Sequence, residues 1–125
     1  MKAAAARTIH RVDFSNRPAA RRDPAPEGRV PRVVLQLALA HRIDAMIRAG
    51  ELRDLADAAR ALGVSRARVS QIVNLLMLAP EIQEAILDLP MVTTGRDPIS
   101  ERALRQIVAD PDWQRQRELW SEVRS

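Results

Sequence analysis

Five residues between positions 66 and 74 have the types and spacing to read the edges of DNA bases: Arg66, Ala67, Ser70, Gln71 and Asn74. On a helix they share one face. Arg can pair bidentately with guanine, Gln can pair with adenine, and a small methyl side chain can meet the thymine methyl. Arg66 and Gln71 are therefore the expected base readers. Ser65 offers a hydroxyl and a helix N-terminus to a phosphate, and Arg68 is expected to meet phosphate as well.

The segment that must position these residues is DLADAARALGVSRARVSQIVN, from Asp54 to Asn74. It predicts a helix-turn-helix. Asp54 caps a first helix, with Asp57 as its capping-box partner. Leu55, Ala58, Ala59 and Leu62 recur at helical spacing. Ala59 is the small residue that two steeply crossing helices need. Gly63 supplies the left-handed turn, and Val64 is expected to plug it. Ser65 caps the second helix, expected over 66–77, with Val69, Ile72, Val73 and Leu76 inward.

Other helices flank this pair. One is expected over 33–49, with Leu35, Leu39, Ile43, Met46 and Ile47 as its stripe and Gly50 at its end. Asp44 and Arg48 form an i,i+4 pair on its outer side. Pro80 suits the first turn of another, with Ile82, Ile86 and Leu89 inward. Residues 90–98 read as a loop. Ser100 caps a fifth helix through Leu104, Ile107 and Val108. Asp110 and Pro111 are expected to open a sixth, carrying Trp113, Trp120 and Val123. The fold class is all-α, about six helices with a central helix-turn-helix.

Residues 1–32 differ from the rest. They hold four prolines and eight basic residues against three acidic ones, a net +5, whereas residues 33–125 carry −1. This part is expected to be a basic, flexible arm, with Arg22, Arg29 and Arg32 against the phosphate backbone. The division is a 1–32 arm and a 33–125 DNA-binding domain. Nineteen of the twenty basic residues are Arg, whose planar fork suits phosphate and guanine; GC-rich coding accounts for part of that bias.

Several function classes are disfavoured. The 125 residues contain no Cys, so there is no thiolate metal site, disulfide or Cys nucleophile. No apolar run approaches the ~20 residues of a membrane span. No Gly-rich phosphate loop occurs, His10 lies in the arm, and His41 reads as a packing or solvated residue. Glu81 and Glu84 have no nucleophile or metal partner. No enzymatic activity, cofactor or metal is expected. With one Phe, two Trp and no Tyr, a stacking platform for single strands is not expected either.

From Ala40 to about Val108 the chain resembles the DNA-binding domain of the ParB/KorB family of partition proteins. LADAARALGVSRARVSQIVNLLMLAPEIQEAILDLP carries the likeness, most specifically at the Leu75-Leu76-Met77-Leu78-Ala79-Pro80-Glu81-Ile82 junction. The resemblance implies a DNA-binding role for Ser65, Arg66, Ala67, Ser70, Gln71 and Asn74. Thr93, Thr94, Arg96, Arg102 and Arg105 form a second tier. The Gly-Glu-Arg-Arg-type motif that binds CTP in that family is missing, so nucleotide-driven clamping is not expected. The chain is also similar to small stand-alone members associated with site-specific recombinases on mobile elements.

The expected function is thus sequence-specific binding of double-stranded DNA in the cytoplasm, at the nucleoid. It fits a transcriptional regulator or a recombination or partition accessory factor. The alternative is an adaptor for a recombinase or partition partner, with a purely structural helix-turn-helix. A homodimer through Trp113, Leu119, Trp120 and Val123 is expected, because one recognition helix reads only a few base pairs; the alternative is that these side chains fold back onto the helix from Ser100 to Ala109 and complete a monomer's core.

Overall fold

A computed structural model describes residues 28–124. Among them are six α-helices: α1 (Arg32–Arg48), α2 (Leu55–Leu62), α3 (Arg66–Val73), α4 (Pro80–Leu87), α5 (Glu101–Val108) and α6 (Trp113–Arg124). A 3-10 turn, Asn74–Met77, joins α3 to the α4 approach. The described residues form no strand, only one antiparallel bridge between Arg29 and Val92.

That bridge moves the start of the folded unit ahead of position 33. Arg29 and Val92 exchange both backbone hydrogen bonds, at 2.9 and 2.8 Å. Gly28 is required beside them: its φ is +118°, and a Cβ there would lie 2.6 Å from the Val92 carbonyl oxygen. Pro31 cannot cap α1 with its side chain. Asp97, from the loop before α5, does so instead, its Oδ2 accepting the Arg32 N–H at 3.0 Å. Gly28–Arg32, inside the span expected as an arm, thus packs with the described helices. Arg22 lies outside the described residues.

Helix α1 is the spine between two cores. Its first half sends Val33 and Leu37 into a cluster with Leu75, Leu78, Ile82, Ile86, Leu104, Ile107 and Trp120. Its second half sends Ile43 and Met46 into a separate cluster with Leu52, Ala58, Ala59 and Val69. The expected stripe is out of phase at its start, since Leu35 is 57% exposed. Apolar residues crowd the first two turns of α1, so more than one face qualifies there. The face chosen also buries Gln36, which hydrogen-bonds to α5.

The helix-turn-helix is built as its spacing predicts. The Asp54 carboxylate accepts the Asp57 N–H at 2.9 Å. Asp57 reaches back one residue further than a capping box requires, accepting the Arg53 N–H at 3.0 Å. Gly63 is left-handed, φ +74°, and closes α2 through the Ala59 carbonyl. Ser65 Oγ caps α3 by accepting the Arg68 N–H at 3.0 Å. Val64 does not plug the turn; it is exposed, and Ala58, Ala59 and Val69 close the contact.

The second helix also ends earlier than expected. At Asn74 the chain tightens to 3-10 geometry, which brings side chains three apart into line. Ile72, Leu75 and Leu78 are accordingly buried, and Leu76 is only half-buried.

Ser100 caps α5 as expected, accepting the Ala103 N–H at 3.1 Å. The start of α6 is displaced. Asp112 rather than Asp110 accepts the first helical N–H, from Gln114 at 3.0 Å, and Asp110 folds into a local turn onto the Asp112 N–H. Trp120 is buried in the core, and Leu119 and Val123 pack against it. The apolar stripe expected to form a dimer interface is thereby used within one chain, with Trp113 left exposed.

Gln116 locks α6 in place. It is fully buried. Its Oε1 accepts the Ala79 N–H at 2.8 Å, which caps α4, and its Nε2 donates to the Asp110 carbonyl at 2.8 Å. Replacing it by Ala orphans the buried Ala79 N–H, at about 1–3 kcal/mol, leaves the half-buried Asp110 carbonyl without its donor, and removes the side chain's packing. Gln116→Ala is expected to cost about 2–4 kcal/mol in urea unfolding, and a loss below about 1 kcal/mol would remove Gln116 as the strut between α4 and α6.

Candidate nucleic-acid interface

Packing of Val69 and Ile72 against the cores fixes which side of α3 faces outward. Arg66, Ala67, Gln71 and Asn74 are exposed on that side, and Ser70 is half-buried beside them. Ser65 is exposed at the helix start; its oxygen holds the cap, and its hydroxyl proton remains to donate. Gln71 is oriented before any ligand arrives, because its Oε1 accepts from Arg68 Nη1 at 3.2 Å. The side chains of Arg66 and Asn74 make no hydrogen bond or ion pair among the described residues. The five residues singled out from the sequence thus lie together on one helix face.

Arg68 does something else. Its guanidinium grips the Glu101 carboxylate with both terminal nitrogens, Nη1 to Oε2 and Nη2 to Oε1, the latter at 3.1 Å. Within the chain, Arg68, the residue expected to meet phosphate, is paired with Glu101 and its side chain remains 32% exposed. Glu101 serves three elements at once. It accepts Gln36 Nε2 of α1 at 2.7 Å and Arg105 Nη1 of α5 at 3.0 Å, besides Arg68 of α3. The Arg68 hydrogen bond, followed by that from Gln36 and the two neighbouring cations, holds the Glu101 carboxyl down to about 2, from 4.5. Among the described residues the buried Gln36 Oε1 has no hydrogen-bond partner, so the bond to Glu101 is the polar contact that holds this amide.

The other expected cations divide in two. Arg29 is committed, bound to Asp97 and to the Gly95 carbonyl at 3.2 Å. The Arg32 backbone N–H, with Arg29, holds the Asp97 carboxyl below its usual range. Arg96 and Arg102 are exposed and have no carboxylate partner among the described residues. Thr93 and Thr94 are exposed in the same loop as Arg96. His41 is exposed, with Nε2 2.8 Å from Gln83 Oε1 on α4.

Sequence reasoning missed the Glu101 junction. The local Glu101–Arg105 spacing was visible, but the partners on α1 and α3 lie 65 and 33 positions away. No family model, no curated protein and no solved structure matches this chain. Among the described residues no helix is long and apolar enough to cross a membrane.

The Glu101 junction makes a pH-dependent contribution with a definite sign. Its folded-state pKa lies below the unfolded value, so the stability it adds is present above pH 4.5 and lost as pH falls toward about 2. The shift corresponds to about 3 kcal/mol at most, screened to about 1–2 kcal/mol at a partly exposed site. Glu101→Gln is expected to lose that amount near neutral pH and to destabilise less than the parent on acidification. Parallel urea titrations of both proteins measure it; identical acid dependence would remove Glu101 as the polar anchor of α3.

Proposed function

We propose that this chain binds double-stranded DNA sequence-specifically, with α3 in the major groove. The reading rests on one observation above all. Arg66, Gln71 and Asn74 stand exposed on a capped, anchored helix; Arg66 and Asn74 have no side-chain partner among the described residues, and Gln71 keeps its amide Nε2 free while its Oε1 accepts from Arg68. An α-helix fits the major groove, and those side chains match its donor and acceptor pattern. Arg66 and Gln71 read bases, and Asn74 and Ala67 border them. The helix start at Ser65 meets phosphate. Arg102 and Arg96 are the flanking phosphate contacts, in place of Arg68 and Arg29. The motif likeness to the ParB/KorB DNA-binding domain supports the same reading. It also supports a role as a transcriptional regulator or as a recombination or partition accessory factor, with a site-specific recombinase as the kind of protein partner to seek.

Specificity needs more than one short helix, since the competing sites number ~10⁶–10⁹. A second copy on an adjacent half-site supplies it, through a surface other than the consumed α6 stripe. The basic residues of the first 27 positions, Arg22 among them, add affinity along the backbone.

Selection of a preferred duplex from a random pool, followed by salt titration, checks this. Arg66→Ala and Gln71→Ala are each expected to cost the selected site about 1–3 kcal/mol and random DNA little. Arg102→Ala should weaken both alike and lower the salt slope by about 0.9 for each phosphate it no longer neutralises. Failure to bind any duplex at low salt would leave the adaptor reading in its place.

A further inference from the structure

Beside the reading face lies a groove of about 450 Å³, between the end of α3 and the α5–α6 corner. Its volume is in the range of small-molecule sites. Its floor is apolar: Met77, Val108, Ala109, Pro111 and the Trp113 indole. Met77 is 64% and Trp113 45% exposed, although both sit in well-packed elements. Trp113 does not hang free, because its Nε1 donates to the Met77 carbonyl at 3.2 Å. The indole is therefore a fixed wall.

The rim carries donors. Arg105, Gln71 and Asn74 line the groove, and the Asn74 amide has no partner among the described residues. Charge decides the kind of ligand. Arg68 and Arg105 share one carboxylate, Glu101, which stays ionised down to about pH 2. The trio keeps one excess positive charge. Arg68 holds its carboxylate with both nitrogens, whereas Arg105 uses one and its side chain is 41% exposed. The excess therefore falls at the groove wall. A phosphate of the DNA backbone would match that charge but leave the apolar floor wet. A flat apolar body with a carboxylate satisfies both.

We propose that this groove binds a small aromatic carboxylate, its ring against Trp113 and Met77 and its carboxylate on Arg105. Gln71 and Asn74 belong to the groove rim and to the reading face, so occupancy changes DNA affinity. This second statement rests on the DNA-binding reading; the site itself does not.

The full chain titrated with 2-naphthoate, observed through its two indole N–H signals, provides the measurement. Trp113→Phe assigns them, and Trp120, buried in the core, is the internal control. 2-Naphthoate is expected to shift the Trp113 signal saturably, with a Kd of about 1 mM or tighter, and to leave Trp120 unmoved. The neutral isostere 2-naphthamide should bind about tenfold more weakly. Arg105→Gln should level the two, and Ala109→Trp, at an exposed position, should block both while preserving the helical circular dichroism. No saturable Trp113 shift, or equal binding of acid and amide by the parent chain, overturns the site. Binding of 2-naphthoate with unchanged affinity for a selected duplex overturns the coupling. A chain that binds 2-naphthoate but no duplex removes the DNA reading and leaves the site standing.

Discussion

The Glu101 carboxylate is the constraint on which the placement of α3 depends. An eight-residue helix has little stability of its own, and packing has to supply it. Val69 reaches the core shared with α2, and Leu75, just beyond α3, reaches the other. Apolar contacts of this kind fix depth better than rotation. The two-pronged Arg68–Glu101 contact adds direction, because a guanidinium meets a carboxylate in one plane. Gln36 then refers that plane to α1, and Arg105 refers it to the rest of α5. A partly exposed ion pair of this kind adds modest stability; its larger effect is on geometry.

The same junction alters how the charge of the chain is to be understood. Net charge places the basic excess in the first 32 residues and leaves the remainder near neutral. The folded part is nevertheless uneven at close range. Asp44, Asp57, Glu81, Asp97, Glu101 and Glu118 each hold an Arg, so much of the charge is internally matched. Arg66, Arg96 and Arg102 stand outside these pairs. At the surface these local excesses count for more than the net charge, since opposite charges inside one ion pair cancel well within the ~8–10 Å screening length.

What the sequence made legible was local. The Asp54 and Ser65 caps, the Gly63 turn, the Ser100 cap and the outward set Arg66, Ala67, Gln71 and Asn74 all depend on residues a few positions apart. Such signals survive without knowledge of the fold. The errors arose wherever a distant residue decided the outcome. Asp97 caps α1 across 65 positions, and Glu101 pairs with Arg68 across 33. Leu35 gave up the inward position because the face buried by α1 is the one that brings Gln36 to Glu101. Leu75 replaced Leu76 because the chain tightened to 3-10 geometry, which changes the period itself. At α6, Asp110 and Asp112 both have the right chemistry for a cap, and the burial of Gln116 and Trp120 selects the later one.

The two-core arrangement holds the exposed face of α3 from both of its ends. Helix α1 runs through both clusters, and α3 with its 3-10 extension bridges them from the other side. Neither core alone determines where Gln71 and Asn74 stand. Val69 binds the start of their segment to the α2 core, whereas Leu75 and Leu78 bind its end to the α5–α6 core. The 3-10 turn between these anchors is the tighter, less favourable helical form, with poorer hydrogen-bond geometry. Helix α6 meets this segment at the 3-10 turn, whereas α5 meets α3 itself through Arg68 and Glu101. Trp113 and Gln116 both donate to the Met77 carbonyl, at 3.2 and 3.4 Å, so α6 holds that turn directly. The α5–α6 corner thus reaches the exposed face of α3 by two contacts, the Glu101–Arg68 pair and the Asn74–Met77 turn at the groove.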